Sequence, residues 1–265
     1  MENTNQINKE SWDAYQEDYM KFHLMWKPEY FEFFSNGGII LYDYLAPMLG
    51  DIKGLKLLDT CCACDAKQAF SWHNLGAVVT ACDIAPKAIE IAKANAVKMN
   101  FDIEFVEADM QTLEPIGDNQ YDIVFAHFPC WVQDLSEACR NWRRVLKSGG
   151  KLLLNTTHPI MDCIDTDENG LIVSQNYNNP APDRGENFGG TPMADRFGGW
   201  SVDLPSVCNS YRTSDILNAI CDAGFMIKKV LETNSNADLD KLTDETLSEI
   251  YLMRLPNEFT VLAIK

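Results

Sequence analysis

Short apolar runs alternate with amphipathic segments between residues 55 and 155, and no other feature of this sequence constrains the fold as strongly. The apolar runs have the length and composition of buried strands, and we predict strands at 55–59, 77–83, 103–106, 121–126 and 151–155. The intervening segments predict helices at 66–75, 87–99 and 135–146. Strands that alternate with helices in this way form right-handed βαβ units around a parallel sheet, so we predict an α/β domain.

The first 50 residues are predicted to form a helical segment ahead of this domain, which spans 51–265. Trp12, Tyr15 and Tyr19 recur at i, i+3 and i+7, which is the spacing of one helix face. This aromatic face either packs on the domain or covers a bound ligand as a lid. A pair of glycines at 37–38 interrupts the helical pattern, which is predicted to resume over 39–49.

The region after the fifth strand is predicted to be an inserted loop, at about 159–208. Its sequence has no regular periodicity and is rich in Gly, Pro, Asn and Asp, and loops of this length are usually functional. A helix at 214–223 and strands at 225–231 and 259–264 are predicted to follow. Because no clear crossover helix precedes the last strand, we expect an antiparallel strand at the edge of the sheet.

Composition narrows the range of partners. Hydrophobic residues make up 46% of the 265 residues, which is enough for a sizeable core, and the net charge is −17. A surface this acidic repels phosphate backbones and anionic lipids, so we expect a small-molecule substrate, with neither nucleic acid nor membrane as a partner. No apolar run approaches about 18 residues, and the polar N-terminus does not resemble a signal peptide. The nine scattered cysteines suit a reducing compartment, so we expect a cytoplasmic protein. A monomer or a homodimer is expected.

Acidic residues stand at the predicted strand ends, where ligands bind in open α/β sheets. Asp59 and Asp83 end the first two strands, and Asp109 follows the third. Asp83 could accept hydrogen bonds from both hydroxyls of a ribose, each worth about 1.5–3 kcal/mol, or it could instead stabilise the N-terminus of the next helix. Asp109 could reach an adenine amino group while Met110 packs on the ring, or it could be a turn aspartate.

Several stretches of the chain resemble the successive motifs of class I S-adenosylmethionine-dependent methyltransferases. They are LLDTCCACDAKQAF, VTACDIAPKAIEIAKANA, FVEADMQTL, YDIVFAHFPCW and VLKSGGKLLLNTTHP. The resemblance extends over roughly residues 10–230 and is closest to a bacterial group of small-molecule methyltransferases, in which Ser11-Trp12-Asp13 and His158-Pro159 also have counterparts. It implies a doubly wound, Rossmann-like, mostly parallel sheet with an N-terminal helical lid. It also implies S-adenosyl-L-methionine as cofactor, S-adenosyl-L-homocysteine as product, and methyl transfer by in-line displacement.

The same resemblance implies which residues bind the cofactor. The methionine part would lie against Asp59 and the loop that contains Cys61, Ala63 and Asp65. The adenosine part would lie against Asp83, Ile84, Asp109 and Met110. The region near the sulfonium would be bounded by His127, Phe128, Tyr15 and Tyr19.

The first loop departs from the family pattern because it contains no glycine. Cys61, Ala63 and Asp65 stand where glycines are expected, although glycine is the residue that allows close backbone approach and a positive φ. Asp65 and Gln68 have the spacing of a capping box, so Asp65 either begins the next helix or faces the ammonium of the cofactor. This departure keeps open an alternative function, in which the protein binds the cofactor without catalysis or is an inactive relative.

Two other chemistries fit the first loop less well. A dinucleotide needs the backbone donors of a G-x-G-x-x-G loop, and Asp65 would repel its pyrophosphate. Cys61 and Cys64 form a C-x-x-C pattern at a helix N-terminus, which could lower a thiol pKa for redox chemistry. Buried cysteines acting as small hydrophobic residues are the competing interpretation. No second cysteine pair has zinc-site spacing, so no metal is predicted.

Candidates for catalysis and substrate binding lie beyond the fifth strand. His158 is a candidate general base because histidine titrates near neutral pH, although it could instead cap the strand end. Candidates for the substrate pocket are Tyr177, Trp200, Tyr211 and Arg212. Arg212 suits a carboxylate, whereas the aromatic residues could equally form a small core within the insertion.

Overall fold

The computed structural model describes residues 4–167, 170–178, 183–185, 204–234 and 255–265. Its helices are α1 (Thr4–Trp26), α2 (Tyr30–Ser35), α3 (Leu45–Leu49), α4 (Lys67–Asn74), α5 (Pro86–Met99), α6 (Leu135–Val145) and α7 (Thr213–Asp222), with short 3₁₀ turns at Pro129–Trp131 and Met161–Cys163. The strands of the main sheet are β1 (Lys56–Asp59), β2 (Val78–Asp83), β3 (Glu104–Glu107), β4 (Tyr121–His127), β5 (Leu146–Thr157), β10 (Met226–Thr233) and β11 (Glu258–Ile264). The insertion contributes β6 (Ile164–Asp167), β7 (Gly170–Val173), β8 (Asp183–Gly185) and β9 (Ser206–Cys208).

The seven strands of the main sheet have the order β10-β11-β5-β4-β1-β2-β3. Strands β1 to β5 pair in parallel, and the strand order reverses between β1 and β4. Helices cover both faces. Trp72 of α4 belongs to the core on one face, and Trp142 of α6 belongs to the core on the other. The predicted doubly wound, mostly parallel α/β fold is therefore confirmed.

The antiparallel strand lies inside the sheet, so the expectation of an antiparallel edge is wrong. Strand β11 pairs antiparallel with β5 on one side and with β10 on the other. Residues 258–263 of β11 are all buried, whereas most residues of β10 are partly or fully exposed. A strand that is buried along its whole length needs neighbours on both sides, which is why β10 occupies the edge.

Strand β5 is longer than predicted. It begins at Leu146, directly after α6, and continues through Gly149 and Gly150, whereas the strand was predicted to begin at residue 151. Leu146 pairs with Tyr121, and the register with β4 then shifts before Lys151 pairs with Ile123. Gly149 lies in this irregular stretch with a φ of 73°, a conformation that glycine adopts without steric cost.

The N-terminal 50 residues pack into the same core as the domain. Phe34 of α2 and Leu49 of α3 join the cluster that contains Phe70 and Trp72 of α4. The prediction of a helix over 39–49 is wrong for residues 39–44, since only α3 is helical. Tertiary contacts explain the difference, because the N–H of Ile40 donates to Ser71 Oγ at 2.8 Å. The division between a lid and a domain at residue 50 stays a prediction.

The insertion contains strands where a loop was predicted. β6 and β7 form an antiparallel hairpin, and β8 pairs antiparallel with β9. The Asn8 side chain of α1 bonds both the C=O and the N–H of Val207 in β9, at 2.9 and 2.7 Å. None of the helices in the described parts of the chain combines the length and the apolar character needed to cross a membrane.

Candidate functional site

A cavity of about 260 Å³ lies at the carboxyl ends of β1, β2 and β4 and the turn after β3, beneath α1. Of the twelve residues predicted to bind the cofactor, eleven line this cavity: Tyr15, Tyr19, Cys61, Ala63, Asp65, Asp83, Ile84, Asp109, Met110, His127 and Phe128. Asp59, the remaining one, is fully buried behind the lining residues. The topological switch point of the sheet, where β1 lies beside β4, therefore opens onto this cavity.

Helix α1 covers the cavity and is hydrogen-bonded to the loops around it. Asn5 Nδ2 donates to Asp109 Oδ2 at 2.7 Å, beyond β3. Asp13 Oδ1 accepts the N–H of Lys87 at 2.7 Å, at the start of α5. Gln16 Oε1 accepts the N–H of Cys64 at 3.0 Å, in the loop after β1. These bonds connect α1 to the segments that follow three neighbouring strands, so any ligand in the cavity lies under this helix.

Several polar residues of the cavity wall were not predicted from the sequence. They are Asn5, Asn8, Gln16 and Lys67. Asn5, Asn8 and Gln16 lie at helical spacing with the predicted aromatic stripe of α1, so the same periodicity would have found them if polar residues had been counted. Trp12 and Trp131 complete the wall, with their ring centroids 5.2 Å apart.

The loop after β1 adopts the backbone conformations that glycine usually provides. Ala63 and Ala66 have φ values of 51° and 45°, in the left-handed region that alanine rarely occupies. The capping-box prediction is wrong, because α4 begins at Lys67 with Ala66 as N-cap and no side-chain capping bond. The carboxylate of Asp65 instead accepts a hydrogen bond from Lys67 Nζ at 2.9 Å.

The carboxylates of Asp83 and Asp109 lie where the adenosine part was predicted to bind. Asp83 accepts the N–H groups of Ala63 and Ala85, both at 2.9 Å, and burial raises its pKa to about 6. Asp109 accepts the N–H of Gln111 at 2.8 Å, and burial raises its pKa as well. Each carboxylate oxygen can accept more than one hydrogen bond, so both residues retain capacity for a ligand.

Asp59 has a buried carboxylate oxygen without a partner. Its Oδ1 accepts the N–H of Cys61 at 3.4 Å, whereas its Oδ2 has no hydrogen bond. Burial raises the pKa of Asp59 to about 7, and the nearby charge of Asp83 adds to the shift. A cationic ligand group in the cavity would favour the ionised form of this carboxyl.

His127 ends β4 with a ring nitrogen that is buried and unpartnered. Its Nδ1 has no hydrogen-bond partner, and burial lowers its pKa to about 3, with a further contribution from the charge of Lys67. The ring is therefore neutral at neutral pH. Phe128 follows with a φ of 51°, and its ring centroid lies 3.9 Å from that of His127. A neutral imidazole here can offer one hydrogen-bond acceptor to a ligand.

Comparison with known proteins matches this geometry to a family. Residues 58–154 match the family model described as a methyltransferase domain, which spans the end of β1 through most of β5. The fold is similar to the crystal structure of an S-adenosylmethionine-dependent methyltransferase from Mesorhizobium loti, with a TM-score of 0.62 and 22% identity, covering 84% of this chain and 96% of that one. Residues 58–154 thus match a methyltransferase domain, and the fold of the chain is that of the class I methyltransferases. The Mesorhizobium loti protein is named for its dependence on S-adenosylmethionine, and binding of this cofactor to the present chain stays a prediction.

Two methyltransferases of known name match part of the chain. One is a malonyl-[acyl-carrier protein] O-methyltransferase from Pseudescherichia vulneris, 27% identical over 115 residues, which are 43% of this chain and 43% of that protein. The other is a ubiquinone biosynthesis O-methyltransferase from Xanthomonas oryzae pv. oryzae, 29% identical over 119 residues, which are 43% of this chain and 47% of that protein. The chain therefore spans less than half the length of the curated relatives it matches.

The methyltransferase structure does not bring His158 to the cavity. His158 is buried beside the end of β5, and its Nε2 lies 2.8 Å from Glu232 Oε1. Its Nδ1 accepts the N–H of Ile160 at 3.1 Å. With both ring nitrogens engaged away from the cavity, this arrangement favours the alternative that His158 fixes the strand end.

Three of the residues predicted to bind substrate, Tyr177, Tyr211 and Arg212, lie outside the cavity lining. Tyr211 donates to the C=O of Val132 at 2.6 Å. Arg212 pairs with Asp215 at the start of α7, at 2.7 Å. The side-chain hydroxyl of Tyr177 donates to Thr213 Oγ1 at 3.0 Å. Trp200 lies outside the described residues. The Tyr177 contact ties the insertion to α7, and a role for the four residues in substrate binding stays a prediction.

The thiols of the first loop are not activated. Burial raises the pKa of Cys61, Cys62 and Cys64, whereas a redox thiol needs a lowered pKa. This disfavours the redox alternative. No group of three or more His, Cys, Asp or Glu side chains in the described ranges is placed to hold a metal ion.

Proposed function

We propose that this protein binds S-adenosyl-L-methionine in the cavity beneath α1 and transfers its methyl group to a small-molecule acceptor. The observation that carries the proposal is the cavity itself. It lies at the switch point of a class I methyltransferase sheet and is lined by Asp83 and Asp109 at successive strand ends.

The chemistry of the cavity wall fits this cofactor. Ribose hydroxyls and an adenine amino group are donors, and Asp83 and Asp109 are acceptors at neighbouring strand ends. Ile84 and Met110 provide apolar surface for the adenine ring. The sulfonium and the ammonium are cations, and the unpartnered oxygen of Asp59 lies behind the wall. The cavity thus offers acceptors to the donors of the cofactor and negative charge to its cations.

The protein's own part in the reaction would be positioning and exclusion of water. When bound, the cofactor supplies a methyl group already activated by its sulfonium. The α1 residues Tyr15 and Tyr19, together with Phe128 after β4, enclose the cavity, and orientation of this kind can lower a barrier by about 7–11 kcal/mol. His127 would accept a hydrogen bond from the acceptor molecule, which orients the attacking atom.

An oxygen nucleophile is the acceptor chemistry that the comparisons favour. Both named relatives are O-methyltransferases, although each match covers less than half of the chain. For this protein we propose only that the methyl group is transferred to an oxygen atom; the substrates of the two relatives are not proposed.

A second candidate function is cofactor binding without methyl transfer. It is favoured by the first loop, in which alanines rather than glycines hold the left-handed conformations at Ala63 and Ala66. Turnover distinguishes the two functions. Release of S-adenosylhomocysteine in the presence of a panel of hydroxylated small molecules supports the enzyme, whereas tight binding with no release across such a panel supports the binder.

The first experiment is calorimetric titration of the reduced protein with S-adenosylmethionine and S-adenosylhomocysteine. We expect micromolar binding that Asp83→Asn weakens by about 10- to 100-fold, because a charged hydrogen-bond acceptor is lost. The matched control is Asp122→Asn, at the opposite end of β4, where the carboxylate pairs with Lys147 on the surface. No binding of either ligand to the wild-type protein would refute the proposal, as would equal losses in the two variants.

A further inference from the structure

The cavity wall contains a salt bridge between Asp65 and Lys67. Lys67 Nζ lies 2.9 Å from Asp65 Oδ2, with the lysine side chain 25% exposed and the aspartate 1% exposed. Among the described residues that line the cavity, Lys67 is the single lysine or arginine. Asp65 lies in the loop after β1 and Lys67 begins α4, whereas Asp109 follows β3, two strands away in the sheet.

Fold stability gives little reason for this pair. Asp65 does not cap α4, whose N-cap is Ala66 without a side-chain bond. A buried ion pair contributes little net stability, because desolvation of the two charges offsets their attraction. A ligand that carries two opposite charges supplies a reason, since it would meet both members of the pair.

Both charges are held firmly in place. Tyr30 donates its hydroxyl hydrogen to the C=O of Asp65, and His23 Nε2 lies 3.1 Å from Asp65 Oδ2. Burial alone would lower the pKa of Lys67, but the Asp65 carboxylate and hydrogen bonds to Asp65 and Tyr19 raise it overall. The ammonium of Lys67 therefore stays charged across the physiological range.

Most backbone N–H groups of the first loop are already used within the protein. Six of its N–H groups, those of residues 60–64 and 66, already donate to acceptors within the protein. The N–H of Ala63, for example, donates to Asp83, and that of Cys64 donates to Gln16. An anionic ligand group beside this loop therefore finds few backbone donors, and Lys67 is the cation that the described cavity wall provides.

We propose that Asp65 and Lys67 bind the amino-acid end of S-adenosyl-L-methionine, with Lys67 at its carboxylate and Asp65 at its ammonium. This inference rests on the proposed function. The cofactor has a donor-rich adenosine end and a zwitterionic end. The cavity has acceptors at Asp83 and Asp109, which follow β2 and β3, and a fixed pair of opposite charges after β1. In this chain, two oppositely charged side chains would bind the amino-acid end of the cofactor, which free backbone N–H groups could otherwise bind.

Ligands that lack parts of the amino-acid end test this assignment by calorimetry. S-adenosylhomocysteine has both charges, decarboxylated S-adenosylmethionine lacks the carboxylate, and 5′-methylthioadenosine lacks the whole end. We expect Lys67→Met to weaken S-adenosylhomocysteine by about 10- to 100-fold and to leave the other two within about 2-fold. Asp65→Asn is expected to weaken both ligands that have an ammonium and to spare 5′-methylthioadenosine.

A matched control and a charge-neutral variant keep the test decisive. Lys87→Met removes a lysine of similar exposure that pairs with Glu17 and Glu90 outside the cavity, and it should change none of the affinities. If Lys67→Met fails to fold, the Asp65→Asn/Lys67→Met variant removes both charges together, and its preference for S-adenosylhomocysteine over 5′-methylthioadenosine should collapse. Equal changes for all three ligands, or none, would overturn the inference while leaving the proposed function intact. Absence of binding to the wild-type protein would instead refute the proposed function.

Discussion

The backbone N–H of Ala63 donates to Asp83 Oδ2 at 2.9 Å, so the carboxylate at the end of β2 also holds the loop that follows β1. The bond matters because Ala63 has a left-handed φ of 51° in a loop without glycine. One carboxylate thus fixes the shape of the first loop and lies in the wall where ribose is proposed to bind. Changes in the charge of Asp83 should consequently alter ligand binding.

Binding of S-adenosylhomocysteine is predicted to weaken below about pH 6. Burial raises the pKa of Asp83 to about 6, so acidification protonates the free protein at this carboxyl. If the ribose hydroxyls need the ionised acceptor, affinity should be constant above pH 7 and fall by up to about 10-fold per pH unit below 6. Calorimetry between pH 5 and 8 measures this. A flat profile would show that Asp83 does not bind the ligand as a carboxylate.

Replacement of Asp59 by Asn is predicted to stabilise the protein at pH 8. Burial raises the pKa of Asp59 from 3.8 to about 7, so the folded state binds a proton that the unfolded state releases. The contribution of Asp59 to stability is therefore greatest below pH 3.8 and is lost as the pH rises through 7. Asp59→Asn should raise the free energy of unfolding by about 1–3 kcal/mol at pH 8, and less at pH 4.

The control for Asp59 is Asp122, a carboxyl whose pKa is shifted in the opposite direction. Lys147 and the N–H of Lys56 hold the pKa of Asp122 below its usual value despite some burial. Its contribution is present above pH 3.8 and is lost on acidification. Asp122→Asn should thus lower the melting temperature at pH 8 and have little effect near pH 3. If both variants shift in the same direction at pH 8, the assigned environment of Asp59 is wrong.

Glycine is predicted to stabilise the first loop at Ala63 and Ala66. A left-handed conformation costs alanine about 1–2 kcal/mol, whereas glycine adopts it freely but loses about 0.4–1 kcal/mol to the flexibility of the unfolded chain. Each substitution should therefore raise the free energy of unfolding by up to about 1 kcal/mol, as measured by urea denaturation. Ala94→Gly, on the exposed face of α5, should instead destabilise by about 1 kcal/mol. A lower free energy of unfolding for all three variants would contradict backbone strain at Ala63 and Ala66.

The strand ends of the cavity were predictable because parallel strands place their carboxyl ends at one edge of the sheet. That rule alone brings Asp59, Asp83 and His127 together, and the period of the apolar runs located each strand end closely. The loop conformation also follows from sequence to some extent. The missing glycines pointed to Ala63, and the structure shows that the left-handed turn persists there.

The cover of the cavity was harder to predict because its contacts join distant parts of the chain. Asn5 and Asp109 are 104 residues apart, and Asn8 and Val207 are 199 apart, so no local pattern links them. Lys67 was overlooked for a similar reason. Its partner Asp65 looked like a helix cap, and only the actual start of α4 shows that its carboxylate turns to the cavity wall.

Loss of one hydroxyl is predicted to loosen α1 from the insertion. Tyr15 Oη donates to the C=O of Leu204 at 3.0 Å and accepts the N–H of Leu204 at 2.9 Å. Tyr15→Phe removes both bonds, which should destabilise this contact by about 1–3 kcal/mol. Hydrogen exchange of the α1 amides should accelerate accordingly. Tyr211→Phe, which removes a bond to Val132 away from α1, is the control and should leave exchange in α1 unchanged.

His127 and His158, at the carboxyl edge of the sheet, are predicted to respond differently to a bound ligand in NMR spectra of their imidazole rings. Burial lowers the pKa of His127 to about 3, so its ring nitrogens should not titrate between pH 5 and 8. His127 lines the cavity and has a buried, unpartnered Nδ1, whereas the ring nitrogens of His158 contact Glu232 and Ile160. S-adenosylhomocysteine should therefore shift the His127 resonances strongly and those of His158 little. His127→Asn and His158→Gln assign the signals. A large ligand-induced shift at His158 alone would show that His158 lies in the binding site and that His127 does not.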